Sequence, residues 1–163
     1  MTNFCIGDRI VVVTIIPHIF KSYVKGTPKK AIVQFIQPFI CHLTAAVMKG
    51  AGLDISKVYI NTRVIKHIYD KRPAEEFDYC VENAVATVKY PDKIYKNKGG
   101  KRGSYCFVKE VKNCKCLVSV ESVETPDDGQ PPHFVVVTFF RVDDAYLKDY
   151  ELLWEWKDGN PSS

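Results

Sequence analysis

The stretch PAEEFDYCVENAVATVK (73–89), followed by SYCFVKEVK (104–112) and KCLVSVESV (115–123), decides how the chain is read. In the first segment Phe77, Cys80, Val81, Ala84, Val85 and Val88 recur at helical spacing, an apolar stripe that must pack on something. Pro73 suits a first helical position, and Glu75 and Glu76 face the positive end of the helix dipole. In the next two segments the period drops to two, as in strands, around a turn at Asn113-Cys114. A helix in search of a partner, followed by alternating strands, predicts an α+β fold. Its expected form is N-terminal helices packed on a four- to five-stranded antiparallel sheet.

Upstream of this stretch, Asn61 or Thr62 can cap a short helix through Tyr69 that stops before Pro73. Downstream come a short strand at Lys93–Lys96, the glycine-basic turn NKGGKRG (97–103) and a linker at 125–132. The strand HFVVVTFFRV (133–142) follows. Asp143 or Asp144 then caps a short helix near Tyr146–Tyr150, and Leu152–Trp156 forms a last apolar piece. Nearer the start, FCIGDRIVVVTII (4–16) reads as a β-branched strand ending at Pro17. The charge-free run AIVQFIQPFICHLTAAVM (31–48) is close to the lower limit for spanning a bilayer. Gln34, Gln37, Pro38 and His42 interrupt it, so it reads as a buried helix or helix pair, broken at Pro38, with no membrane association. The expected organisation is an accessory region over 1–57 and a main domain over 58–159.

The 163 residues favour one domain, and 46% hydrophobic with 26% charged residues is ordinary for a soluble globular chain. The start lacks the pattern of a secretory signal, so the six cysteines read as reduced thiols of a cytoplasmic protein. Cys114 and Cys116 are two apart and no CxxC pair occurs, which gives only weak support to a zinc site; no metal or other cofactor is expected. The net charge of +4 hides an uneven distribution. Residues 89–115 carry nine Lys/Arg against Asp92 and Glu110, a net of +7, whereas 119–163 carry three basic and ten acidic residues, a net of −7. The basic block suits a polyanion, and it reads equally as a solvated, lysine-rich hairpin.

Walker, HExxH, GxSxG and dinucleotide motifs are all absent. The turn 97–103 precedes no helix and so is not a phosphate cradle of the known type, but its charge density suits a phosphate backbone. The succession TRVIKHIYDKRP (62–73), YPDKIYKNKGGKRGSYCFVKE (90–110) and VVVTFFRVDDAYLKDYELLW (135–154) resembles phage-encoded nucleases of the barnase/EndoU/colicin/RelE superfamily. The pattern is a histidine in an early helix, a PD-I segment, a basic lysine-bearing hairpin and a last strand with a threonine. The resemblance covers 58–156. It implies an antiparallel sheet flanked by N-terminal helices and cleavage of RNA without a metal. It also implies that Thr138 is the strand threonine that bonds a phosphate oxygen.

Cleavage of that kind uses the 2′-hydroxyl against the adjacent phosphate, giving a 2′,3′-cyclic phosphate and a 5′-hydroxyl. It needs a base, an acid and fixed cations on the pentacoordinate phosphate. An imidazole suits the first two roles. His67, at the edge of its helix's apolar side, is the candidate, with a structural histidine as the alternative. His18, His42 and His133 have weaker claims. For the cations the candidates are Arg102 and Lys109, with Lys101 assisting. Alternation puts Lys109 on the face of Tyr105, Phe107 and Val111, a local conflict that marks either a site or a snorkelling lysine. Lys98, Lys101, Arg102, Tyr105 and Arg141 are candidate RNA contacts, although alternation sets Arg141 opposite Thr138. Tyr95, Phe107, Tyr146 and Tyr150 are further rings on which bases could stack. RNA is the expected partner, and an inhibitor or antitoxin protein is a second candidate. Two other readings stay open: a non-catalytic RNA-binding module, and an interaction protein using the acidic tail with Trp154 and Trp156.

Overall fold

In a computed structural model, which describes residues 15–157, Asn61 caps a helix, α2 (Thr62–Lys71), by accepting from the Val64 amide at 3.0 Å. Pro73 then occupies the cap of α3 (Ala74–Lys89) rather than its first turn. All six residues of the expected apolar stripe of α3 are buried. They pack on three neighbouring strands, β4 (Tyr105–Val111), β5 (Cys114–Val123) and β6 (His133–Val142). Lys112 and Asn113, both with positive φ, form the two-residue turn between β4 and β5, one position earlier than expected.

The fold is α+β, but the sheet is larger and less uniform than the expected four- to five-stranded antiparallel one. Four more strands complete it: β1 (Phe39–His42), β2 (Lys57–Tyr59), β3 (Lys93–Lys96) and β7 (Glu151–Glu155). The order is β1-β2-β6-β5-β4-β3-β7, and β2 runs parallel to β6 while the other pairs are antiparallel. The expectation fell short because β2 is three residues long and β1 four, too short for an alternation to register.

The N-terminal part departs most from expectation. Of the strand expected over 4–16, residues 4–14 lie outside the described part, and 15–19 are helical, leading into a π-turn at Phe20–Val24. The helix expected through 31–48 is not formed. Residues 31–38 are irregular, with Ile32 fully exposed, 39–42 form β1, and only Ala45–Ala51 make a helix, α1, capped by Thr44. Pro38 is the physical reason: it disfavours a helical Gln37, and its carbonyl accepts from the Ile60 amide at 3.2 Å instead. The boundary expected at 57/58 falls inside β2, and Ile16, Val24 and Ile40 share one core with Phe77, Phe107 and Phe139. No helix among the described residues is long and apolar enough to cross a membrane. The five described cysteines are free thiols.

Side-chain rows across the strands define the two faces of the sheet. Phe107, Val118 and Phe139 are in register on the helix-covered face, as are Lys109, Cys116 and Arg141. The other face carries the rows Cys106–Ser119–Thr138 and Val108–Leu117–Phe140, covered in part by α4 (Asp144–Leu147) and Tyr150.

Candidate functional site

The register between β5 and β6 slips at one point. Ser119 faces Thr138 and Val120 faces Val136, so Val137 is an extra residue, a β-bulge. Among the described residues, the outer edge of β6 is paired with a strand only at Phe134 and Val135, through β2. Helix α2 packs on β6, and Glu76 Oε2 accepts the Arg141 amide at 3.1 Å. The bulge interrupts the β5–β6 register at Val137-Thr138.

The basic turn is folded onto this bulge. Asn97 Nδ2 donates to the carbonyls of Arg102 (2.7 Å) and Gly103 (3.1 Å), and Ser119 Oγ donates to the Arg102 carbonyl at 3.0 Å. Gly103 has φ +101°, and a Cβ there would overlap Ser119 Oγ and lie 3.1 Å from Val137 Cγ2. Only glycine lets the turn approach the bulge closely enough to set Arg102 there.

Two clefts meet at Arg102. One, of about 530 Å³, is lined by Phe35, Asn61, Arg63, Val64, His67, Arg102 and Val137. The other, of about 250 Å³, is lined by Arg72, Asn97, Lys101, Arg102, Cys106, Ser119, Thr138, Phe140 and Tyr146. No described lining residue of either cleft is acidic. Among the described residues no carboxylate pairs with Arg63, Lys101 or Arg102, whereas Arg72 Nη1 lies 3.7 Å from Glu76 Oε2. The other partners of these cations are aromatic. Arg63 lies 4.9 Å from the Phe35 centroid, Arg72 4.8 Å from Phe140, and Lys101 Nζ 5.4 Å from Tyr146. His67 is exposed, one turn beyond Arg63 on α2. At the floor, burial pushes the Cys106 thiol up to about 11, against the Ser119 hydrogen bond and the Lys101 charge.

Thus Arg102 shares one cleft with His67 and the adjoining one with Lys101 and Thr138. Lys98 stays near them on the same turn, its Nζ 4.8 Å from the Tyr150 centroid. The other candidates lie elsewhere. Lys109 is on the helix-covered face, where Nζ donates to the Tyr90 carbonyl at 2.8 Å and sits 3.8 Å from Asp92 Oδ1. It lines a separate cleft of about 280 Å³ with Trp154 and Trp156. Arg141 lines another, beside Lys115, Asp143 and Asp144. Tyr105 packs edge-to-face on Phe134, with centroids 5.9 Å apart.

Sequence reasoning missed Arg63, Arg72 and Phe35. Arg63 stands four residues before His67, so its shared helix face was readable. Lys66, next to His67, is buried and committed to structure: Nζ donates to the Pro28 carbonyl (2.6 Å) and to Asp70 (2.7 Å). Burial works to raise the Asp70 carboxyl, but hydrogen bonds from Lys66 and the Lys30 amide hold it below the usual range. Comparison of the chain with protein-family models, with curated proteins and with solved structures gives no match.

Proposed function

We propose that this protein is an endoribonuclease that cleaves RNA without a metal, through attack of the 2′-hydroxyl on its own phosphate. The observation that supports the reading is the pair of clefts that share Arg102, one lined by His67 and the other by Lys101 and Thr138, with no acidic residue among their described lining. That donor set suits a phosphodiester, and its described residues include no carboxylate to hold a divalent cation. The resemblance of residues 58–156 to phage nucleases points the same way, and the reading places the activity in the cytoplasm, acting on cellular RNA.

In the proposed reaction the 2′-oxygen attacks phosphorus as its proton leaves, and the 5′-oxygen departs with a proton, leaving a 2′,3′-cyclic phosphate. His67 takes the first proton or supplies the second. Arg102, with Lys101 beside it, offsets the charge that builds on the phosphate, and Thr138 Oγ1 donates to a non-bridging oxygen. Lys109 has no part in this set, since its ammonium is engaged on the opposite face of the sheet.

A second reading, an RNA-binding module without catalysis, is favoured by one observation: among the described lining residues His67 is the one imidazole, whereas the reaction needs both a base and an acid. Incubation of purified protein with total RNA in excess EDTA, beside His67→Ala, separates the two. Cleavage lost in the variant supports the ribonuclease; RNA bound but intact with both proteins supports the binding module.

A further inference from the structure

Phe35 belongs to the irregular segment 31–38, outside the stretch on which the nuclease resemblance rests. Its side chain is 48% exposed, at the mouth of the cleft that holds His67. An exposed phenylalanine on a loose loop would carry no meaning, but this one is clamped on both sides. Thr62, which has no exposed surface, accepts the Ile36 amide through Oγ1 (3.1 Å) and donates the same hydroxyl to the Gln34 carbonyl (2.6 Å). The Thr62 amide donates to the Ile36 carbonyl at 3.0 Å, and Asn61 Nδ2 donates to Gln37 Oε1 at 3.3 Å. One buried threonine thus fixes the backbone before and after Phe35 and holds its ring in water. Arg63 covers one ring face.

A second partly exposed ring, Tyr146, stands in the adjoining cleft with the Lys101 ammonium over it. Tyr146 is already stacked on Tyr150, with centroids 5.6 Å apart, so of the two rings that share a cleft with Arg102 Phe35 is the more open. Bases stack on such rings only when they are unpaired and splayed away from one another, since a duplex hides both base faces.

We propose that Phe35 is the stacking platform for a nucleobase next to the phosphate held at Arg102, and that the site selects single-stranded over double-stranded RNA. This rests on the reading of the two clefts as an RNA site, but not on catalysis. The chain of causes is local: a buried hydroxyl holds the backbone, the backbone presents the ring, and the ring takes an unpaired base.

The test uses a fluorescein-labelled 2′-O-methyl RNA oligonucleotide, which lacks the nucleophile and cannot be cut, alone and as a duplex with its complement. Binding is read by anisotropy for the full chain, Phe35→Ala and Phe35→Trp. Wild type is expected to bind the single strand more tightly than the duplex. Phe35→Ala is expected to weaken the single strand about 5- to 150-fold with little change for the duplex, the range set by one lost base stack. Phe35→Trp is expected to keep the affinity. Equal single-strand binding by wild type and Phe35→Ala overturns the proposal, as does a duplex bound as tightly as the single strand, or no binding of either by wild type. Selective binding lost in Phe35→Ala, in a protein that cuts no RNA, keeps this inference and rejects the ribonuclease. Cleavage with unaltered binding in Phe35→Ala does the reverse.

Discussion

Arg102 and Lys109 come from the same basic hairpin, seven residues apart, and by charge alone they look interchangeable. Their surroundings are opposite. Arg102 rides on a turn pinned by Asn97 and Ser119 through its carbonyl, and the exposed residue lines two clefts whose described lining holds no acidic group. Lys109 projects from the helix-covered face of β4 and spends its ammonium on the Tyr90 carbonyl and Asp92. The difference shows what makes a cation available. Arg102 is positioned through its backbone, so its charge is left over; Lys109 is positioned through its charge, so nothing is left over.

Breaking the open cleft at its acid–base group should have the largest effect. His67→Ala is expected to lower RNA cleavage by about 10²–10⁴-fold, measured as cyclic-phosphate ends from a defined oligonucleotide in EDTA. Full activity in that variant would remove His67 from the mechanism. Arg102→Ala should cost about 10²–10³-fold in kcat, as expected for one lost group on a developing oxyanion, and Arg102→Lys should recover part of it.

Gly103→Ala probes the placement of Arg102 rather than its charge. A Cβ at φ +101° against Ser119 and Val137 should cost roughly 1–3 kcal/mol of stability and shift the turn. Cleavage should fall about tenfold while the charge count is unchanged, a split that circular-dichroism melting and single-turnover kinetics can read.

Alkali tests whether both faces are equally dry. Burial pushes the Cys106 thiol, on the open face, up to about 11, and pushes the Cys41 thiol, near Lys89 on the helix-covered face, up to about 12. Both folded values lie above the ordinary thiol value of 9.0, so the stabilisation is fully present below that pH. It should decline as pH rises through about 11 and about 12, seen as a falling denaturation midpoint. A midpoint unchanged across that window would mean that water reaches these thiols. The smallest effect belongs to Lys109→Ala, expected to cost about 1 kcal/mol of stability and to leave cleavage within about twofold. A large loss of activity there would erase the contrast between the two cations.

Within the candidate site, His67 and Thr138 were readable because each breaks a local pattern, an imidazole at the edge of an apolar helix face and a hydroxyl within VVVTFF. That their two clefts adjoin at Arg102 was not. It depends on the bulge at Val137 and on the close approach of Gly103, neither of which leaves a periodic trace. Lys109 was a reasonable choice for the same reason as His67, since it too breaks a pattern. The conflict marks a lysine satisfied by Tyr90 and Asp92.

Local chemistry specified the elements in which it repeats often enough to be read: the stripe of α3, the cap of α2, the alternating strands β4 to β6 and the clustering of basic charge. Each is a short-range preference, set by side-chain spacing along one helix or strand. The packing of the whole chain settled the remainder. Short strands such as β1 and β2 acquire identity only by pairing, and β2 found a parallel partner some seventy-five residues away in β6. Phe35, in a segment with no pattern of its own, becomes part of the His67 cleft because a buried Thr62 binds the backbone on both sides of it. Contacts between residues distant in the chain have no spacing rule, so their outcome exists only once the backbone has closed.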